Sequence, residues 1–265
     1  MNIFKLEFKK KIKSMLIWTA SILAWALIVI AFIPTLVAEG HTFAGMIEDM
    51  GAFAQVLGIE TETLSSVIGI IGMYFGMLLI VFGIQSANYG FGLVTIEESE
   101  LTADFLLAKP VKRSKILTNK ILASVLIMLL TCTMYSVASY FTVLGVSGDY
   151  EVNTTALLLI LLSSFFVQLF FFSVGLLISL FLKKVKSVTP FSMGLVFGMF
   201  ILDAFSRSFD INIVKYFNPF SFFETGAIAK EAAYDTTFFI INLLIVVVSI
   251  TLSYMLYQKR DIKSI

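Results

Sequence analysis

The chain has 265 residues, of which 58% are hydrophobic and 14% charged, with a formal net charge of +1. Ordinary soluble domains carry roughly 45–50% apolar and about 25% charged residues, so a soluble globule of this composition would lack the polar surface to cover itself, and a disordered chain is excluded as well. The charge balance leaves no basic domain for nucleic acid, and a single cysteine rules out an internal disulfide and a cysteine-rich metal site.

A helix needs about 20 apolar residues to cross a bilayer. Six such runs follow one another along the chain. Residues 1–13 precede the first. Phe4, Phe8 and Ile12 fall on one helical face there, with Lys5, Lys9, Lys10 and Lys13 on others, the pattern of an amphipathic interfacial helix lying flat on the inner leaflet. The first span covers 14–38; it is too long for a cleaved signal peptide and closes near Pro34. The second covers 67–88, with helical continuation toward Ile96. The third covers 116–145, the fourth 156–182, the fifth 188–206 and the sixth 236–257. All are predicted to be helices, because lipid cannot satisfy open backbone polar groups. The chain therefore reads as one all-α integral membrane domain over 1–265. Between spans, 39–66 is the longest connection, and its piece 50–57 is apolar enough to rest at the interface. Asn218-Pro219 predicts a turn, with a short helix over 220–233.

Charge placement sets the direction. Of the 19 basic residues, all but Arg207, Lys215 and Lys230 lie before the first span, between the second and third or, for Lys120, just inside the start of the third, between the fourth and fifth, or after the sixth. The positive-inside rule then makes both termini cytosolic. Within the spans the one acidic residue is Asp203, with Arg207 at i+4 as its partner. A self-powered carrier would be expected to place more charge at mid-depth.

Few groups carry chemistry. His41 stands alone in an outer loop. The sequence contains no GxxxxGK[ST], HExxH or GxSxG pattern, so it lacks the P-loop means of binding ATP and the common hydrolytic centres; a non-catalytic role follows. Asn153-Thr154-Thr155 matches a glycosylation acceptor. Gly72 and Gly76 make a small-xxx-small pattern suited to close helix contact, either as a dimer or pathway seam or as packing within the chain. Gln85 and Asn88 either line a cavity or bridge neighbouring helices.

The connection from Glu97 to Lys120 is the most informative segment. Glu97, Glu98 and Glu100 suit a helix N-terminus and Lys109 its end, while Pro110 stops continuation. Leu101, Phe105 and Ala108 form one apolar stripe. Glu100 and Asp104 are like charges at i, i+4, mildly unfavourable alone and sensible if a basic partner faces them. A charged, half-apolar helix over 97–109, with no soluble domain of its own, predicts docking to another protein.

Together these features resemble the ABC-2 class of ABC transporter permeases. Glu97, Thr102, Leu106, Leu107, Pro110, Val111, Arg113 and Lys120 fall in register with that family's pattern, and Leu101 stands where it usually has glycine. The resemblance implies a dimer of identical or related permease chains in the cell membrane, with the bacterial plasma membrane as its setting. It implies separate ATP-binding subunits that hold ATP and Mg, so this chain carries no cofactor. The 97–109 segment, with Arg113 just beyond it, becomes the coupling helix seated on the ATPase. The substrates implied are drugs, antimicrobial peptides or lipid-like compounds. The competing reading is a stand-alone secondary carrier or ion antiporter that needs no partner.

Overall fold

The computed structural model describes residues 3–51, 66–99, 111–182, 185, 187–209 and 211–259. Every regular element among them is a helix: α1 (Ile3–Ala38), α2 (Gly40–Asp49), α3 (Val67–Ser99), α4 (Arg113–Val146), α5 (Thr154–Ser179), α6 (Thr189–Phe209), α7 (Asn212–Lys215), α8 (Pro219–Phe222), α9 (Thr225–Glu231) and α10 (Thr236–Lys259). Six of these, α1, α3, α4, α5, α6 and α10, are long and apolar enough to cross a membrane. They overlap the six expected spans; most ends fall within three residues of expectation, while α1 starts at Ile3 rather than 14 and α3 continues past 88 to Ser99.

The bundle is built around α3 and α5, which pack along each other more extensively than any other pair. In their apolar stretches 67% and 61% of residues are buried, against 28% in α1 and α6 and 22% in α10; the first two helices form the centre and the last three the lipid-facing rim. Glycine permits this closeness. A Cβ on Gly90 of α3 would stand 2.3 Å from the Phe172 carbonyl oxygen of α5, and one on Gly175 of α5 would stand 3.3 Å from the Ala87 oxygen of α3. Aromatic side chains fill the remaining gaps: Phe82 meets Tyr135 of α4 edge-on at 5.2 Å, and Phe166 meets Phe239 of α10 edge-on at 4.9 Å. Around this centre, α1 lies against α4, α6 against α3, and α10 against α5.

Residues 3–13 are helical and continuous with the first span: α1 runs unbroken for 36 residues, about 54 Å at 1.5 Å per residue. No glycine or proline interrupts the chain between Ile3 and Ile33, so nothing forces a bend. Phe8 and Ile12 pack against an intrachain cluster that includes Met15, Tyr89, Leu117 and Ile121, and Phe4 stacks on Phe8 at 6.1 Å.

Two other sequence features resolve into helix caps. Asn153 is the N-cap of α5, its side chain accepting from the Ala156 amide at 3.1 Å, which is ordinary work for asparagine at a helix start. Asn218 caps α8 by accepting from Phe220 N, and its amide donates to the Met199 oxygen at 2.7 Å. The stretch expected to form one short helix over 220–233 holds two, α8 and α9, with α7 before them. The expected interfacial piece 50–57 lies, beyond Gly51, outside the described residues.

Candidate functional site

Contacts between elements define two ends of the bundle. The starts of α1 and α4 meet the ends of α3 and α10 at one end: Lys120 reaches both Glu7 and Leu93, and Arg113 donates to the Gln258 oxygen at 3.5 Å. The starts of α3 and α5 meet the end of α6 and the short helices at the other. The start of α1 and the end of α10 therefore belong to the first end, together with the lysines of α1 and α4. We call this the basic end.

At the basic end an ionic cluster is buried. Glu7 of α1 is 5% exposed and Lys120 of α4 is 1% exposed. The Lys120 ammonium lies 3.6 Å from one Glu7 carboxylate oxygen, and Lys11 lies 3.6 Å from the other. Lys120 also donates to the Leu93 carbonyl of α3 at 3.0 Å, and Lys11 donates to Ser124 Oγ of α4 at 2.6 Å. A buried charge needs both a countercharge and hydrogen-bond partners, and here three helices supply them together.

At mid-depth a chain of uncharged polar groups crosses the bundle. Gln168 of α5 donates to Gln85 Oε1 of α3 at 3.0 Å, and Gln85 donates to Thr131 Oγ1 of α4 at 3.3 Å. Thr19 of α1 donates to the same Thr131 oxygen at 3.4 Å. Gln85 and Gln168 are fully buried. Gln85 thus bridges neighbouring helices. Beside it, the Asn88 Oδ1 atom is buried with no hydrogen-bond partner among the described residues.

At the far end Asp203 and Arg207 do pair, at 2.8 Å. Arg207 also reaches Glu224 at 3.4 Å, and Ser221 donates to Asp203, so the pair fastens α6 to the short-helix segment. Gly72 and Gly76 face inward in the same region. Thr225 of α9 donates to the Gly72 oxygen at 2.6 Å, and a Cβ on either glycine would stand 3.0 Å from a Thr225 oxygen. The small-residue stripe thus receives the chain's own α9, the arrangement expected of the within-chain packing alternative. Tyr234, just before α10, donates to the Leu159 oxygen at 2.6 Å, and burial pushes its phenol well above the usual range.

The residues expected to dock, Glu100, Leu101, Asp104, Phe105, Ala108, Lys109 and Pro110, lie outside the described residues, and only the helical backbone of Glu97 and Glu98, in the last turn of α3, is described. Sequence reasoning missed Glu7, Thr131 and Gln168. Glu7 is the one acid among the lysines of the first 13 residues and Gln168 the one amide in the run 156–182; either exception was a usable signal.

A family model described as "ABC-2 family transporter protein" matches residues 1–262. No curated protein matches the chain. The family match spans nearly the whole sequence, and the chain belongs to that family: it is a multi-pass membrane protein of the ABC-2 transporter class.

Proposed function

We propose that this ABC-2 family chain is the membrane-spanning permease subunit of an ATP-driven exporter. It forms the translocation path as a dimer with a second permease chain, and a separate ATP-binding subunit drives it. ATP and Mg belong to that subunit, and this chain is not an enzyme. Drugs, antimicrobial peptides or lipid-like compounds are the substrates the class suggests.

The observation that carries this reading is where the connection between α3 and α4 departs. It leaves from the basic end, beside the start of α1, the end of α10 and the lysines of α1 and α4. The positive-inside rule assigns such an end to the cytosol, where an ATP-binding subunit resides. The bundle itself supports a driven component, since its ionic groups lie toward the two ends and its mid-depth polar groups named above are amides and hydroxyls. Closure of the ATP-binding pair would push on the α3–α4 connection and tilt the helices joined to it.

The test is capture of an ATP-binding subunit by the affinity-tagged chain. The double substitution Leu101→Ala with Phe105→Ala removes the apolar stripe of the docking segment and is expected to abolish capture while membrane insertion is retained. Undiminished capture would remove the docking role. Solute movement by the purified chain in liposomes, driven by an ion gradient with no ATP-binding subunit present, would establish the carrier reading instead.

A further inference from the structure

We propose that Lys120 and Glu7 form a joint that makes α1, α3 and α4 move as one body at the basic end, and that both are positioning residues for coupling. The inference rests on the permease reading above. Its basis is the way each contact is anchored. Lys120 donates to the Leu93 main-chain carbonyl at 3.0 Å, so its hold on α3 is on the helix axis and no rotamer change on α3 can release it. The same ammonium stands 3.6 Å from Glu7, which links α4 to α1. The Glu7 carboxylate is steadied in turn by Lys11, one turn along its own helix at 3.6 Å.

A second tie lies one turn further along α4, where Lys11 donates to Ser124 Oγ at 2.6 Å and Ser124 donates to the Lys120 carbonyl at 3.0 Å. Two ties between α1 and α4, a turn apart, oppose both sliding and rotation. Apolar packing alone would fill this space at least as stably, because burying an ion pair gains little net energy; what the charges add is a fixed register. The location gives that register a use. Leu93 lies near the end of α3 and Lys120 near the start of α4, so the joint closes the two helices that the docking connection links in sequence, and brings in α1. A push on that connection then reaches three helices.

The experiment uses the chain together with the ATP-binding subunit it copurifies with, in a Cys132→Ser background. Spin labels at exposed Lys10 of α1 and Lys115 of α4 report the joint; labels at exposed Glu39 and Glu151 report the far end. In the otherwise unmutated complex, ATP with vanadate is expected to shift the far-end distance and leave the Lys10–Lys115 distance fixed. Lys120→Met is expected to keep capture within about twofold, to broaden the Lys10–Lys115 distribution, and to cut the far-end shift by at least half. Lys120→Arg, which keeps charge and donor, restores both. Should Lys120→Met fail to fold, Glu7→Gln, which keeps size and hydrogen-bonding capacity, carries the same expectation. A narrow Lys10–Lys115 distribution and a full far-end shift in the folded Met or Gln variant would overturn the joint alone. Absence of any ATP-binding subunit on the unmutated chain would overturn the permease reading and the joint with it.

Discussion

Gly90 and Gly194 are the same residue type in two spanning helices and should respond oppositely to the same substitution. A Cβ on Gly90 would fall 2.3 Å from the Phe172 oxygen and 3.0 Å from the Leu176 nitrogen of α5, both main-chain atoms; a Cβ on Gly194 of α6 would meet no described atom within 4 Å apart from its chain neighbours and its own helix backbone. The backbone of α5 cannot turn aside as a side chain would, so Gly90→Ala must push α3 and α5 apart along the tightest contact in the bundle. We expect a loss of about 2 kcal/mol or more, in the range of overpacked cores. Gly194→Ala meets no obstacle and should gain roughly 0.5–1 kcal/mol from helix preference. Thermal unfolding of the two variants in detergent, compared with the unmutated chain, measures both. Equal effects of the same sign would mean that α3 and α5 are not held at this distance.

At the scale of elements, the amide chain shows what side chains can do where apolar packing has no direction. In lipid, apolar helices gain little by meeting one another rather than lipid tails, so polar contacts and close fits set which faces meet. Gln168→Leu would remove the donor to Gln85 Oε1 and leave a buried acceptor behind. We expect a loss of about 1 kcal/mol, typical of hydrogen bonds between membrane helices, and a double-mutant cycle with Gln85→Leu should return a coupling of the same size. Zero coupling would mean the two amides do not meet. The six spans were legible in the sequence because about 20 apolar residues in a row can do little else. The Asp203–Arg207 pair was legible because i, i+4 spacing is local. Partners distant in the chain were not: that Gly72 and Gly76 receive Thr225, or that Glu7 lies against Lys120, depends on which helices become neighbours. The packing of the N-terminal stripe was not legible for a related reason. An amphipathic stripe is the same pattern whether it faces a lipid surface or its own protein, and here Phe8 and Ile12 face α3 and α4.

For the whole molecule, the decisive question is which way the bundle stands in the membrane, since the end of α3, the start of α4, the start of α1, the end of α10 and the Glu7–Lys120 cluster all share one end. The lysines argue that this end is cytosolic. A polar segment crosses a membrane against a cost that grows with each Lys or Arg, and acids have much less influence on orientation. The structure adds that the segregation is spatial as well as sequential: Lys9, Lys10 and Lys13 of α1 and Lys115 of α4 are exposed at the basic end, whereas exposed Asp149 and Glu151 lie at the far end, just before α5. In a Cys132→Ser background, a cysteine replacing Lys10 should therefore resist a membrane-impermeant maleimide in intact cells and react in inverted membrane vesicles, and one replacing Glu151 should do the reverse. The contrast between the two sites guards against a cysteine that is simply unreactive. Labelling of the Lys10 site from outside would invert the bundle, put the α3–α4 connection beyond the reach of a cytosolic ATP-binding subunit, and leave the buried Glu7–Lys120 pair with a purely architectural role.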